Sequence, residues 1–180
     1  MQQLIINRVE TDPNYLTKLD RFAVDSGSST HVINNAITTA ARQVASISKS
    51  KAILAFTSSG GTVMRVARVR PTVPIIAACY DIETARQLAM VWGVYPILIE
   101  RPDHEFVLRE ELLKACKVAC DRGFCNPDTD LMTVTAGLPF GIPGTTNVIR
   151  IVAAAGPDHW YDDDQSNQGQ FKYFDSETFI

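Results

Sequence analysis

Between Lys51 and Ala153 the chain alternates short β-branched apolar runs with helix-period segments, and this alternation constrains its fold more than any other feature. Lys51–Phe56, Pro74–Cys79, Val94–Ile99, Leu131–Ala136 and Asn147–Ala153 have the length and composition of buried strands. Gly61–Val69 fits a helix. Asp81 caps a second that runs to Trp92, with Gly93 as its left-handed stop. Asp103 caps a third that runs to Arg122, faces Val107, Leu108, Leu112, Ala115 and Ala119 inward and ends at Gly123. Strand and helix repeating at this spacing mean parallel strands joined by crossovers, with helices on both faces. The last two strands are joined only by Gly137-Leu-Pro-Phe-Gly-Ile-Pro-Gly144, too short for a helical crossover, so the fifth strand is expected to run antiparallel. The expected fold is a three-layer α/β/α sandwich around a five-stranded, mostly parallel sheet. Ligands of such sheets sit outside the carboxyl ends of the parallel strands.

The flanks divide the 180 residues into three parts. Residues 1–27 read as a helix over 1–10, with Leu4, Ile5 and Val9 on one face, broken at Asp12-Pro13-Asn14 and followed by a linker. Residues 28–155 form the α/β domain. Ser28, Ser29 and Thr30 offer a cap for a helix over Val32–Ile47, in which Val32, Ile33, Ala36, Ile37, Ala40, Val44 and Ile47 recur at three and four and predict the core face. Residues 156–180 lose all periodicity. Asp162-Asp163-Asp164 and Gln165–Gln170 are polar, yet Trp160, Tyr161, Phe171, Tyr173, Phe174 and Phe179 are aromatic. An extended segment docked on a surface and an unstructured end both fit this tail.

Charge and composition exclude several classes. The net charge is −3, with no Lys/Arg cluster of the kind nucleic-acid binders carry. No apolar run approaches the ~20 residues of a membrane helix. The start, MQQLIINRVE, has no basic n-region or cleavage signal, so a cytoplasmic address is expected. Cys79, Cys116, Cys120 and Cys125 contain no CxxC pair; they read as small apolar packing residues in a reducing compartment rather than as zinc ligands.

Chemistry concentrates at Thr57-Ser58-Ser59-Gly60-Gly61-Thr62, between the first strand and its helix. Backbone N–H groups at a helix N-terminus, the helix dipole and glycines that let an anion approach make such a turn a phosphate cradle. The hydroxyls of Thr57, Ser59 and Thr62 add donors. A capping turn without a ligand is the competing reading. The turn has neither the GK[ST] of a Walker loop nor GxGxxG. Arg65, Arg68 and Arg70 read as solvated or paired helix-surface residues that also have the reach to lean toward a phosphate. Arg86 with Glu83 reads as a surface ion pair, and Trp92 as core. His31, His104 and His159 are scattered and form no catalytic set.

Phe56-Thr-Ser-Ser-Gly-Gly-Thr62, Arg70-Pro71, Pro74-Ile-Ile-Ala77, Thr84-Ala-Arg-Gln-Leu-Ala89, Trp92-Gly-Val-Tyr-Pro96 and Gly137-Leu-Pro-Phe-Gly-Ile-Pro-Gly-Thr-Thr-Asn147 occur in an order that closely resembles the carboxy-terminal domain of pyruvate kinases, bacterial in flavour. Arg8-Val-Glu-Thr-Asp-Pro-Asn-Tyr15 resembles the end of their last barrel helix and the linker out of it, so the resemblance covers about residues 1–154. It implies a parent reaction in glycolysis, phosphoryl transfer from phosphoenolpyruvate to ADP, with magnesium and potassium bound in a barrel that a cap domain covers. No acidic metal pair or phosphate-binding lysine stands in for those parts here. The chain is therefore expected to bring no cofactor of its own, to regulate and assemble rather than catalyse, and to show no turnover.

The resemblance also implies partners and sites. The partners are the barrel, other copies in a homotetramer, and a phosphorylated effector. Thr57, Ser58, Ser59, Gly60, Gly61 and Thr62 would hold the effector's phosphate, and the loop with Leu138, Pro139, Phe140, Gly141 and Gly144 would close over it. Ser58 stands where fructose-bisphosphate-responsive animal forms have a basic residue. The helix around His104 to Glu111 lacks the tryptophan and arginine pair that grips a second phosphate, and Glu111 puts a negative charge near that point. A sugar monophosphate or AMP is thus the first expectation. A stand-alone phosphate-binding module is the alternative, and a small α/β enzyme the third reading. The last has no nucleophile–base pair or cofactor fingerprint behind it.

Overall fold

The computed structural model describes residues 2–12, 14–15, 32–100, 108–138 and 144–156. They form helices α1 (Gln2–Glu10), α2 (Val32–Ile47), α3 (Gly61–Arg68), α4 (Ile82–Leu88) and α5 (Leu108–Asp121). The strands are β1 (Ala52–Thr57), β2 (Ile75–Cys79), β3 (Val94–Leu98), β4 (Leu131–Gly137) and β5 (Thr146–Ala153). The sheet order is β3-β2-β1-β4-β5. All pairs are parallel except β4–β5, so the reversed last strand expected from the short 137–144 connection is present. Asp103 and Val107 lie outside the described residues, as do the caps at 28–30 and the tail beyond Gly156.

β1 is central and buried along its whole length, which explains its uninterrupted apolar run. Side chains alternate across the sheet. Leu54, Phe56, Ile76, Ala78, Met132 and Val134 face one way and pack on Leu112, Ala115, Cys116 and Ala119 of α5. Ile53, Ala55, Ile75 and Ala77 face the other way and meet Val63 and Val66 of α3, Ala85 and Leu88 of α4, and Ala45 of α2. The three layers follow directly from this alternation.

Helix α2 has the expected bounds but the opposite orientation. Asn34, Thr38, Ala41, Arg42 and Ala45 are its buried residues, while Val32, Ile33 and Ile47 are 60%, 69% and 83% exposed. The apolar stripe predicted to face the core is centred roughly 150° round the helix from the buried residues, with Ala36 exposed beside these three and Ile37, Ala40 and Val44 half-buried along its edge. The reason lies in the surface beneath α2. There β4 and β5 present buried Thr133, Thr135 and Thr146, and Ser50 Oγ pairs with Thr133 Oγ1 at 2.9 Å. Polar helix residues suit that surface. Thr38 Oγ1 donates to Asn34 O of its own helix at 2.9 Å, and Asn34 Nδ2 donates to Gly144 O at 2.9 Å.

Two further expectations are corrected. Helix α4 stops at Leu88 rather than Trp92. Tight turns through Met90 N–H to Gln87 O and Val91 N–H to Leu88 O follow, and Gly93 at φ +69° reverses the chain into β3. Trp92 therefore lies beyond the helix's apolar face and is at the surface, 37% exposed, where its Nε1 donates to Glu10 Oε1 at 3.0 Å. Glu83 and Arg86 lie exposed on α4 without forming an ion pair with each other.

All four cysteines are free; Cys79, Cys116 and Cys125 are buried. Burial pushes the Cys79 thiol up to about 11 and those of Cys116 and Cys125 to about 12. Because the folded state holds these thiols neutral, their contribution is complete below the unfolded thiol value of about 8.5. It is lost as pH rises from there toward 12. The melting temperature should thus fall steadily above pH 9, at a rate of order 1 kcal/mol per thiol per pH unit. A pH series of thermal unfolding checks this, and C116A should flatten the slope.

Candidate functional site

The strand order reverses at β1. From β1 the chain runs outward through β2 and β3, then returns to place β4 on the other flank of β1. A crevice opens at such a switch point, beside the carboxyl ends of the two central strands. Thr57, at the end of β1, and Gly137, at the end of β4, border it.

The 57–62 turn is built by two residues. Thr57 is buried, and its Oγ1 accepts the Gly60 N–H at 2.8 Å, which closes the turn. Gly60 is the N-cap of α3 at φ +79°, and an added Cβ would meet Leu88 Cδ2 at 3.3 Å, so both conformation and space call for glycine. With glycine at that position no side chain caps the first turn of α3. Its free N–H groups and the dipole face the crevice. Ser59 is exposed there, and Ser58 O accepts from Thr84 Oγ1 of α4 at 3.5 Å. Two of the expected donors are committed elsewhere. The Gly60 N–H is taken by Thr57, and the Thr62 hydroxyl pairs with Thr146 Oγ1 at 2.6 Å.

That pairing ties the cradle to the second loop. Leu138 N–H donates to Asn147 Oδ1 at 2.9 Å, and Asn147 Nδ2 donates to Leu138 O at 2.6 Å, fixing where the loop leaves β4. Gly144, at φ +83°, is held by Asn34 where the loop returns. Leu138 and Gly144 are thus brought to the cradle's side of the sheet. Pro139, Phe140 and Gly141 lie outside the described residues. Glu111 does not present its charge to a ligand: it is 1% exposed, and its Oε1 accepts from Lys114 Nζ at 2.9 Å. Among the described residues no three His, Cys, Asp or Glu side chains come together as a metal site would require.

Asn34, Asn147 and Thr146 position the site, and Arg65, a helix-surface residue with the reach to lean toward a phosphate, stands beside it. Asn147 closes the Gly137–Asn147 motif, so a signal for it existed. Asn34 had none, because the stripe of α2 that carries it reads as solvent-facing. Arg65 Nη1 stands 3.2 Å from where a Cβ on Gly61 would lie, with Ser59 Oγ at 3.8 Å. Gly61 has an ordinary φ, so its missing side chain keeps space open rather than relieving strain. G61A should leave stability unchanged or up to ~1 kcal/mol higher. It should weaken binding of a phosphate monoester about tenfold, the loss of one charge-assisted contact. Thermal unfolding and titration calorimetry separate the two effects.

Residues 35–152 match the family model of the pyruvate kinase alpha/beta domain. A pyruvate kinase of Methylorubrum extorquens is 40% identical over 118 residues, 66% of this chain and 24% of that protein. One from Lactobacillus delbrueckii subsp. bulgaricus is 35% identical over 143 residues, 79% of this chain and 23% of that protein. One from Agrobacterium vitis is 32% identical over 155 residues, 86% of this chain and 31% of that protein. The chain thus spans between about a quarter and a third of the length of these relatives. No helix among the described residues is long and apolar enough to cross a membrane.

Proposed function

The chain belongs to the pyruvate kinase alpha/beta domain family, and from that premise we propose that it is the effector-binding and assembly domain of a pyruvate kinase. The parent reaction would transfer a phosphoryl group from phosphoenolpyruvate to ADP, giving pyruvate and ATP. The effector would be a sugar monophosphate or a nucleoside monophosphate, with its phosphate in the Thr57–Thr62 cradle and its remainder under the loop from Leu138 to Gly144. The uncapped first turn of α3 at the sheet's switch point carries this reading. Its N–H groups need an acceptor, the dipole favours an anion, and Ser59 and Arg65 stand beside it.

Allostery needs a second site and a physical link to it. Asn34 supplies the link: it grips Gly144 O from the buried side of α2, and the opposite side of the same helix carries exposed Val32, Ile33 and Ile47. An effector held between the cradle and the Gly144 end of that loop would shift α2 and with it the apolar stripe, which would pack against another copy or domain. Replacing Ile33 and Ile47 together by aspartate should abolish self-association in sedimentation experiments while changing folding stability by less than ~1 kcal/mol.

A thermal-shift series with ribose 5-phosphate, glucose 6-phosphate and AMP tests the effector reading. A ligand at a hundred times its dissociation constant adds about 2.7 kcal/mol, several degrees for a domain this size. No shift with any of the three at about 10 mM removes the cradle from the account.

A further inference from the structure

We propose that the outer face of α3 is a second anion site, distinct from the cradle, for a small molecule carrying two or more linked phosphate groups. A groove of about 670 Å³ runs along this face between α2 and the 91–92 turn. Arg65, Arg68 and Arg70 line it together with Asn35 and Trp92, and Gly61 of the cradle borders its amino end. Arg65 and Arg68 are one helical turn apart and share a face, and Arg70 follows the helix end.

The three guanidiniums are arranged but not neutralised. Arg68 Nη2 donates to Asn35 Oδ1 at 3.2 Å, a neutral partner that orients it. Arg70 lies over the Trp92 ring, 4.4 Å from its centroid, and Trp92 is held in turn by Glu10. Among the described residues none of the three forms an ion pair with a carboxylate. Glu10, the acid that reaches this wall, is engaged by the Trp92 indole. In a chain with 20 acidic and 17 basic residues, such a convergence runs against the overall charge.

Arg70 is fixed at the point where α3 ends. Its backbone is left-handed, at φ +49°, as is common for the residue that follows a helix's C-cap. Its N–H donates to Ala67 O at 3.1 Å, and the stack on Trp92 fixes its head. Arg70 so adds a third positive charge to the groove lining. A single phosphate engages one or two guanidinium forks and would leave most of the groove unfilled. A linked pair or chain of phosphates matches both the charge and the length. Gly61 and Arg65 lie where this groove meets the cradle, whereas Arg68 and Arg70, toward the carboxyl end of α3, belong to the groove alone.

Titration calorimetry of the intact chain with inorganic pyrophosphate at low ionic strength tests it, with orthophosphate as the weaker comparison. Binding should weaken with added salt. R68Q/R70Q should reduce affinity about a hundredfold, tenfold for each charge-assisted contact. S59A, which removes a cradle hydroxyl without adding a charge, should change it by less than about fivefold. R68K/R70K keeps the charge and should recover binding to within about tenfold of the original, showing that the glutamine effect is not a folding defect. No binding of pyrophosphate at millimolar concentration overturns the proposal. So does undiminished binding to R68Q/R70Q, or a loss in S59A as large as that in R68Q/R70Q, which would put pyrophosphate in the cradle instead.

Discussion

Truncating Leu54 to alanine should destabilise the domain by about 3 kcal/mol, within the usual range for a buried leucine. Leu54 is fully buried on the central strand and packs into the cluster closed by α5. Its neighbours belong to a sheet hydrogen-bonded on both sides, so little can collapse into the space left behind. For a domain of this size the melting temperature should drop by roughly 10 °C. I47A removes a similar volume, but Ile47 is 83% exposed, and its cost should stay within about 0.5 kcal/mol. Chemical denaturation of the two variants side by side measures the difference. Equal losses would mean that the apolar stripe of α2 packs inward after all.

Placing an aspartate at Ser59 should abolish monophosphate binding in practical terms. A new negative charge about 4 Å from a bound phosphate costs about 4 kcal/mol at an effective dielectric of 20. Screening at this exposed position lowers that to about 2 kcal/mol at the least, so the expected loss is some 30- to 1000-fold. Folding stability should move the other way, by a few tenths of a kcal/mol, because the same carboxylate favours the positive end of α3. Titration with glucose 6-phosphate, paired with thermal unfolding, reads both signs. Unchanged affinity would put the ligand elsewhere. A fall in stability of the same size as the binding loss would mean that the turn had been broken rather than blocked.

Much of this protein was legible in its local sequence. The five strands appear within a residue or two of where apolar runs predict them. The reversal of β5 follows from a connection too short for a helix, and a tight serine-, threonine- and glycine-rich turn joins β1 to α3 as those residue types predict. The donor inventory was less legible. Which hydroxyls stay free depends on partners far along the chain, and Thr62 loses its hydroxyl to Thr146, 84 residues away.

What the amino-acid order determined by itself is the set of elements, their sequence and the chemistry of the loops, because periodicity, turn residues and loop length act over a few residues at a time. Which face of α2 turns inward, and where Trp92 and the three arginines meet, was decided only by the tertiary structure. The stripe of Val32, Ile33 and Ile47 is indistinguishable in sequence from a core face. Only the threonine-rich surface of β4 and β5 beneath the helix draws Asn34 and Thr38 inward and leaves those apolar side chains outside. Burial is a property of the surface a helix meets, and that surface is assembled from residues a hundred positions away.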